Sequence, residues 1–80
     1  MTPRDLERLS VVRAACRTGR ARQLRQLAGL SQSEVAATVG VAQPTVAMWE
    51  TGQRVPRGMP ALRYAAVLER LDRATTAEVV

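Results

Sequence analysis

The stretch from Ser31 to Gly52, SQSEVAATVGVAQPTVAMWETG, leaves a chain of this size few choices, because it marks the starts and stops of two successive helices. Ser31 stands three residues before Glu34, the capping-box spacing in which each side chain satisfies an orphan amide of a first turn, so the spacing predicts a helix from Gln32. Val39 is the last apolar residue in period, and Gly40 after it can take positive φ and stop the helix. Ala36 falls where two helices must approach closely and a larger side chain would push them apart. Helical spacing resumes from Gln43 to Glu50, with Val46 and Trp49 on one face. Pro44 fits only in the first turn of that second helix, where its missing amide hydrogen would have had no partner. The reading is two short helices joined by a tight turn, with a second face of the pair left exposed.

These residues resemble the Cro and repressor type of helix-turn-helix regulator found in phages, prophages and bacterial chromosomes. Gln32, Ala36, Gly40, Val46 and the Trp49-Glu50-x-Gly52 ending fall at that family's spacing, and the likeness runs from about Arg20 to Leu71. The resemblance implies an all-α fold, a bundle of about five helices of the lambda-repressor-like DNA-binding type, with one domain over residues 1–72 and the motif at 31–52. It also implies that the second helix of the motif enters the major groove while the amino end of the first rests on a phosphate.

Eighty residues make one small domain, whose core is only marginally sufficient without a partner subunit, a metal or disulfides. With no His and a single Cys, a metal cluster and an internal bridge are both excluded, and no cofactor is expected. The apolar share is 46%, yet 13 residues are Ala and only Trp49 and Tyr64 are aromatic, so pairing of two subunits would help. No stretch approaches the roughly 20 apolar residues of a membrane span, and the charged start lacks the apolar centre of a signal peptide, which points to the cytoplasm. Catalysis has little to work with: acids are scattered, and no Ser or Cys stands beside a plausible base, so the chain does not read as an enzyme.

Outside the motif, Thr2, Pro3 and Asp5 open a first helix as cap, first position and third-position acid. Leu6, Leu9, Val12 and Cys16 give it one apolar stripe, on which Cys16 reads as a small buried hydrophobe. A second helix from about Gly19 to Ala28 turns Ala21, Leu24, Leu27 and Ala28 inward and Arg20, Arg22 and Gln26 outward. After the motif, Gln53 to Pro60 contains Pro56, Gly58 and Pro60 and reads as an irregular connection. Helical spacing returns from about Pro60 to Leu71, where Leu62, Ala66 and Val67 widen the apolar arc, so more than one surface of this helix calls for burial. Residues 73–80 lack periodicity and are expected to fray.

The net charge of +5 is unevenly placed: all 12 basic residues are Arg, seven of them within residues 1–30, while the motif holds only Glu34 and Glu50. Affinity for phosphates must therefore come from the flanks. The outward set on the second motif helix, Gln43, Pro44, Thr45, Ala47 and Met48, carries no charge. That is odd for a solvent face and reasonable for a helix pressed against base edges. Gln43 can bond adenine N6 and N7, and the Thr45 methyl, Ala47 and Met48 suit thymine methyl groups. The blander reading is that Gln43 caps its helix, since Ala42 cannot, and that Met48 serves protein contacts. Phosphate contacts fall to Gln32, which resembles the family's phosphate-contacting glutamine, to Ser33 beside it, and to Thr51, Gln53, Arg54 and Arg57 after the recognition helix. Arg20 and Arg22 are weaker candidates. Arg25 stands where the family places an Arg that pairs with the Glu of the Trp-Glu dipeptide, here Glu50.

The favoured reading is a sequence-specific regulator that binds double-stranded DNA as a homodimer at a palindromic operator, a small phage or prophage Cro-like repressor acting by occupancy. Tyr64, Leu68 and Leu71 are the first candidates for the dimer surface, and the stripe on the first helix is the second. No small-molecule ligand is evident. The competing reading is a protein-interaction module on the same fold, antitoxin-like or anti-repressor, motivated by the uncharged face with Met48 and the lack of any Arg between Ser31 and Gln53.

Overall fold

Local signals set where the helices begin and end. The computed structural model describes residues 1–79, with the element order α1 (Pro3–Thr18), α2 (Arg20–Leu27), α3 (Gln32–Val39), α4 (Gln43–Thr51) and α5 (Gly58–Val79). Capping boxes open α1 and α3: Asp5 N donates to Thr2 Oγ1 at 3.1 Å while Asp5 Oδ2 accepts from Thr2 N, and Ser31 and Glu34 repeat the exchange at 3.0 and 2.9 Å. Gly40 and Gly52 close α3 and α4 with φ of 86° and 79°, a conformation that a side chain would strain. The amides of Gly40 and Val41 both donate to the Ala36 carbonyl, at 2.8 and 3.0 Å, which makes the turn between α3 and α4 abrupt. Arg63, far along the chain in α5, donates its Nε to the Val39 carbonyl at 2.8 Å and so finishes the last turn of α3.

All five helices contribute to one core. Val12 and Cys16 come from α1, Ala21 and Leu24 from α2, Val35, Ala36 and Val39 from α3, Val46 and Trp49 from α4, and Tyr64, Ala65 and Leu68 from α5. The two aromatic rings stack with centroids 4.8 Å apart and planes 26° from parallel, a geometry that contributes about 1 kcal/mol beyond the area it buries. Because α5 packs on α1, α2 and α3, it serves as the spine against which the α3–α4 pair is held. Cys16 is buried, and its burial, with the nearby Glu50 carboxylate, pushes its thiol up to about 11. At neutral pH it is a packed hydrophobe.

Several expectations differ from this structure. The irregular connection ends earlier than its composition implies, since Gly58, Met59 and Pro60 form the first turn of α5. Pro60 is tolerated there because the first amides of a helix have no internal partner. The tail does not stop at Leu71: α5 continues to Val79, because nothing from Asp72 to Ala77 breaks a helix already nucleated upstream, and Val80 lies outside the described residues. Leu27, expected inward, is 56% exposed and Ala28 is exposed too, since α2 ends at Leu27 and nothing covers that end. Leu6 likewise leaves the stripe of α1 and is exposed.

The dimer candidates are also corrected. Tyr64 is 1% and Leu68 6% exposed, both consumed by the core of a single subunit, as are Leu9, Val12 and Cys16 of the second candidate stripe. The wide apolar arc of α5 exists because three other helices lean on it. Leu71 alone of the first set remains half-buried at the edge of the core.

The Tyr64 hydroxyl is buried without a hydrogen-bond partner among the described residues. An unpaired buried polar group costs about 1–3 kcal/mol, so Tyr64→Phe, which keeps the ring and its stack, is expected to raise stability by about 1 kcal/mol. Urea unfolding at pH 7 measures this, and a lower midpoint would mean the hydroxyl is satisfied after all.

Candidate nucleic-acid interface

Burying Val46, Trp49 and Glu50 turns the opposite side of α4 outward. Gln43 and Pro44 are exposed there, while Thr45, Ala47 and Met48 are half-buried, so the outward ridge is fullest at the amino end of the helix. Pro44 occupies the first turn, as its chemistry requires. The capping role open to Gln43 is not the one it takes: Ala42 is the cap residue, no side chain caps the helix, and the Gln43 amide is engaged elsewhere.

That engagement is the end of a relay across three helices. Arg25 of α2 grips Glu50 of α4 with both arms of its guanidinium, Nε to Oε2 at 2.6 Å and Nη2 to Oε1 at 2.9 Å, and uses Nη1 for the Leu30 carbonyl at 2.9 Å. Gln32 of α3 donates Nε2 to Glu50 Oε1 at 3.0 Å, and its Oε1 accepts from Gln43 Nε2 at 2.7 Å. Glu50 accepts only, so it must receive the amide hydrogens of Gln32; the Gln32 oxygen then faces outward and orients Gln43 in turn. Among the described residues, Gln43 is left with one amide hydrogen and its carbonyl oxygen free. This is the donor and acceptor pair that an adenine edge requires.

The pair at the root of this relay is buried, with the Arg25 side chain 12% and that of Glu50 1% exposed. Burial pushes the Glu50 carboxyl up, but hydrogen bonds from Arg25 and Gln32 and the charges of Arg25 and Arg22 outweigh it and hold the group below the usual glutamate range. Its own hydrogen bond to Glu50 pushes the Arg25 guanidinium further up in turn. Both partners stay charged at neutral pH.

Around this ridge the structure sorts the basic candidates. Arg54, Arg57 and Gln53 are exposed on the connection after α4, where with Thr45 they line one groove of mixed polar and apolar character. Arg22 is exposed on α2, close enough to Glu50 to act on its charge. Gln32 and Ser33 form the first turn of α3, where the Ser31 hydroxyl satisfies the Glu34 amide and leaves theirs pointing outward. Two candidates are diverted. Arg20 turns to Asp72 of α5 at 2.9 Å and to Gln23 at 2.8 Å, and Thr51 gives its hydroxyl hydrogen to the Ala47 and Met48 carbonyls of its own helix. Neither diversion could be read from spacing, since Asp72 is distant in sequence and a helical Thr can face either way.

An all-α bundle that holds the uncharged face of one helix outward, braced from beneath by a buried ion pair and flanked by arginines, is a DNA-binding domain of the lambda-repressor-like fold. A family model described as helix-turn-helix matches residues 22–73, and the chain belongs to that family, the Cro/repressor type, whose members are DNA-binding transcriptional regulators. Comparison with curated proteins and with solved structures finds no match. No helix among the described residues is long and apolar enough to cross a membrane.

Removing Arg25 would strand a buried carboxylate, so Arg25→Ala is expected to cost about 3 kcal/mol in chemical unfolding. Because Glu50 ionises below its ordinary value of 4.5, the stability it contributes is complete above that pH and is lost as pH falls below it. Glu50→Gln should flatten the acid limb of a melting-temperature profile below about pH 4.5, and an unaltered limb would assign acid unfolding to other groups.

Proposed function

We propose that this protein is a sequence-specific repressor that binds DNA as a homodimer, each subunit laying α4 in the major groove of one half-site. The observation that carries the reading is the Gln43 amide, exposed at the leading end of α4 and bonded through its nitrogen to Gln32, with one hydrogen and the oxygen unused among the described residues. In this reading Gln43 reads an adenine, while Pro44, the Thr45 methyl, Ala47 and Met48 contact the neighbouring thymine methyl groups. Phosphates are held by the first-turn amides of Gln32 and Ser33, with the α3 dipole behind them, and by Gln53, Arg54, Arg57 and Arg22.

Two-fold symmetry makes the operator a palindrome with half-site centres about 34 Å apart. With Tyr64 and Leu68 inside the subunit, the dimer surface falls to the outer side of α5 at Leu71 and Val67, which border an apolar groove against Val35 and Ala37 of α3. A regulator of this kind acts by occupying its site, in the manner of a small phage or prophage Cro-like protein, in the cytoplasm where the nucleoid lies.

Selection from a pool of random duplexes tests the reading: a palindrome containing A·T pairs should be enriched. Recovery of no preferred sequence would instead favour a protein-interaction module. On the enriched duplex, Gln43→Ala should cost about 1–3 kcal/mol at a single base pair, whereas Arg54→Ala should weaken all sequences alike and reduce the salt slope by about one unit per subunit. Equal losses on every sequence from Gln43→Ala would remove it from base reading.

A further inference from the structure

A second concavity opens on the other side of the connection that follows α4. Its lining includes Arg13 and Arg17 from the last two turns of α1, with Gly52, Arg54, Val55 and Pro56 from the end of α4 and the loop beyond. Three arginine side chains therefore border one small, mainly apolar hollow, and nothing acidic lines it. Five of the protein's seven acids are committed elsewhere: Asp5 and Glu34 to capping boxes, Glu50 to Arg25, Glu69 to Arg8 and Asp72 to Arg20. Among the described residues, no ion pair is formed by Arg13, Arg17 or Arg54. The carboxyl ends of α1 and α4 point here too, but two helix termini supply only about half a negative charge each, against three full positive charges. The hollow is electrostatically unfinished.

Its geometry is fixed from one side. Arg13 Nε donates to the Pro56 carbonyl at 3.0 Å, which pins α1 to the loop carrying Arg54 and leaves the two terminal amino groups of Arg13 without a partner among the described residues. Arg17, one turn further on, is exposed. Arg54 also lines the groove that holds Thr45 and Arg57, so the positive charge runs without interruption from the flank of the recognition helix to α1.

We propose that the carboxyl end of α1 carries an additional DNA-backbone contact, in which Arg17 and Arg13, together with Arg54, grip a phosphate beyond the bases reached by α4. The inference rests on the DNA-binding reading and extends it to a segment outside residues 22–73, the part of the chain that the family model matches. Arg17 makes the exposed contact, and Arg13 holds the loop in place while offering its free amino groups. The hollow thus lengthens the footprint of each subunit without adding any sequence preference.

The test measures affinity of the full chain by fluorescence anisotropy across a salt series, on the selected duplex and on a scrambled duplex of equal length. Arg17→Ala should weaken both duplexes by the same factor and flatten the slope of log affinity against log salt by about 0.9 per bound subunit. Arg4→Ala, at the opposite end of α1, removes the same charge and should leave the slope unchanged. Ethylation interference should lose one phosphate per half-site in Arg17→Ala and none in Arg4→Ala, with Arg17→Gln behaving as Arg17→Ala. If the unaltered protein binds and Arg17→Ala has the slope and interference pattern of Arg4→Ala, the contact is refuted while the DNA-binding reading stands. If the unaltered protein binds neither duplex, both fall together.

Discussion

The carboxylate of Glu50 is the constraint on which the arrangement of this molecule depends. A charge taken out of water must be met by donors, and the donors here come from two other helices, Arg25 in α2 and Gln32 in α3. Satisfying it fixes how both approach α4. Its neighbour Trp49 does the same on the apolar side by stacking on Tyr64 of α5. Two consecutive residues thus tie α4 to three other helices, one by polar bonds and one by packing. The outward side chains of α4, which carry neither of these two ties, can then be chosen for what they touch.

What could be read from the residues alone is what depends on near neighbours. The capping pairs Thr2 with Asp5 and Ser31 with Glu34, the stops at Gly40 and Gly52 and the place of Pro44 are each decided within a few positions, and each is present. The Arg25 and Glu50 pairing was legible for another reason, through likeness to a family. What escaped depends on distance. That Tyr64 and Leu68 face inward follows from α1, α2 and α3 all leaning on α5, which no count of apolar positions along one helix can show. That Arg20 is drawn away follows from Asp72, fifty-two residues later in the chain.

The arginines deserve to be divided by task, because a sequence of this kind invites reading them all as affinity for phosphates. Arg8, Arg13, Arg25 and Arg63 each donate to a main-chain carbonyl of another segment, at Leu62, Pro56, Leu30 and Val39. In a core built largely from small side chains, long stems add cover to apolar surface while their planar heads close helix ends and loops. The guanidinium can meet a carboxylate and a carbonyl at once, as Arg25 does, and an ammonium has no comparable fork. This use of arginine as mortar explains how so small a core supports five helices.

The bond from Arg63 to the Val39 carbonyl has a mechanical meaning of its own. It joins the spine helix to the hinge at which the chain swings from α3 into α4. A peptide cut to the motif would keep its own start and stop signals but lose this strut and the aromatic platform beneath Trp49, leaving the two rods free to pivot. In the intact chain, a load applied along α5 reaches the elbow through this bond and through the Trp49–Tyr64 stack, so the direction of α4 is set from the rear of the domain.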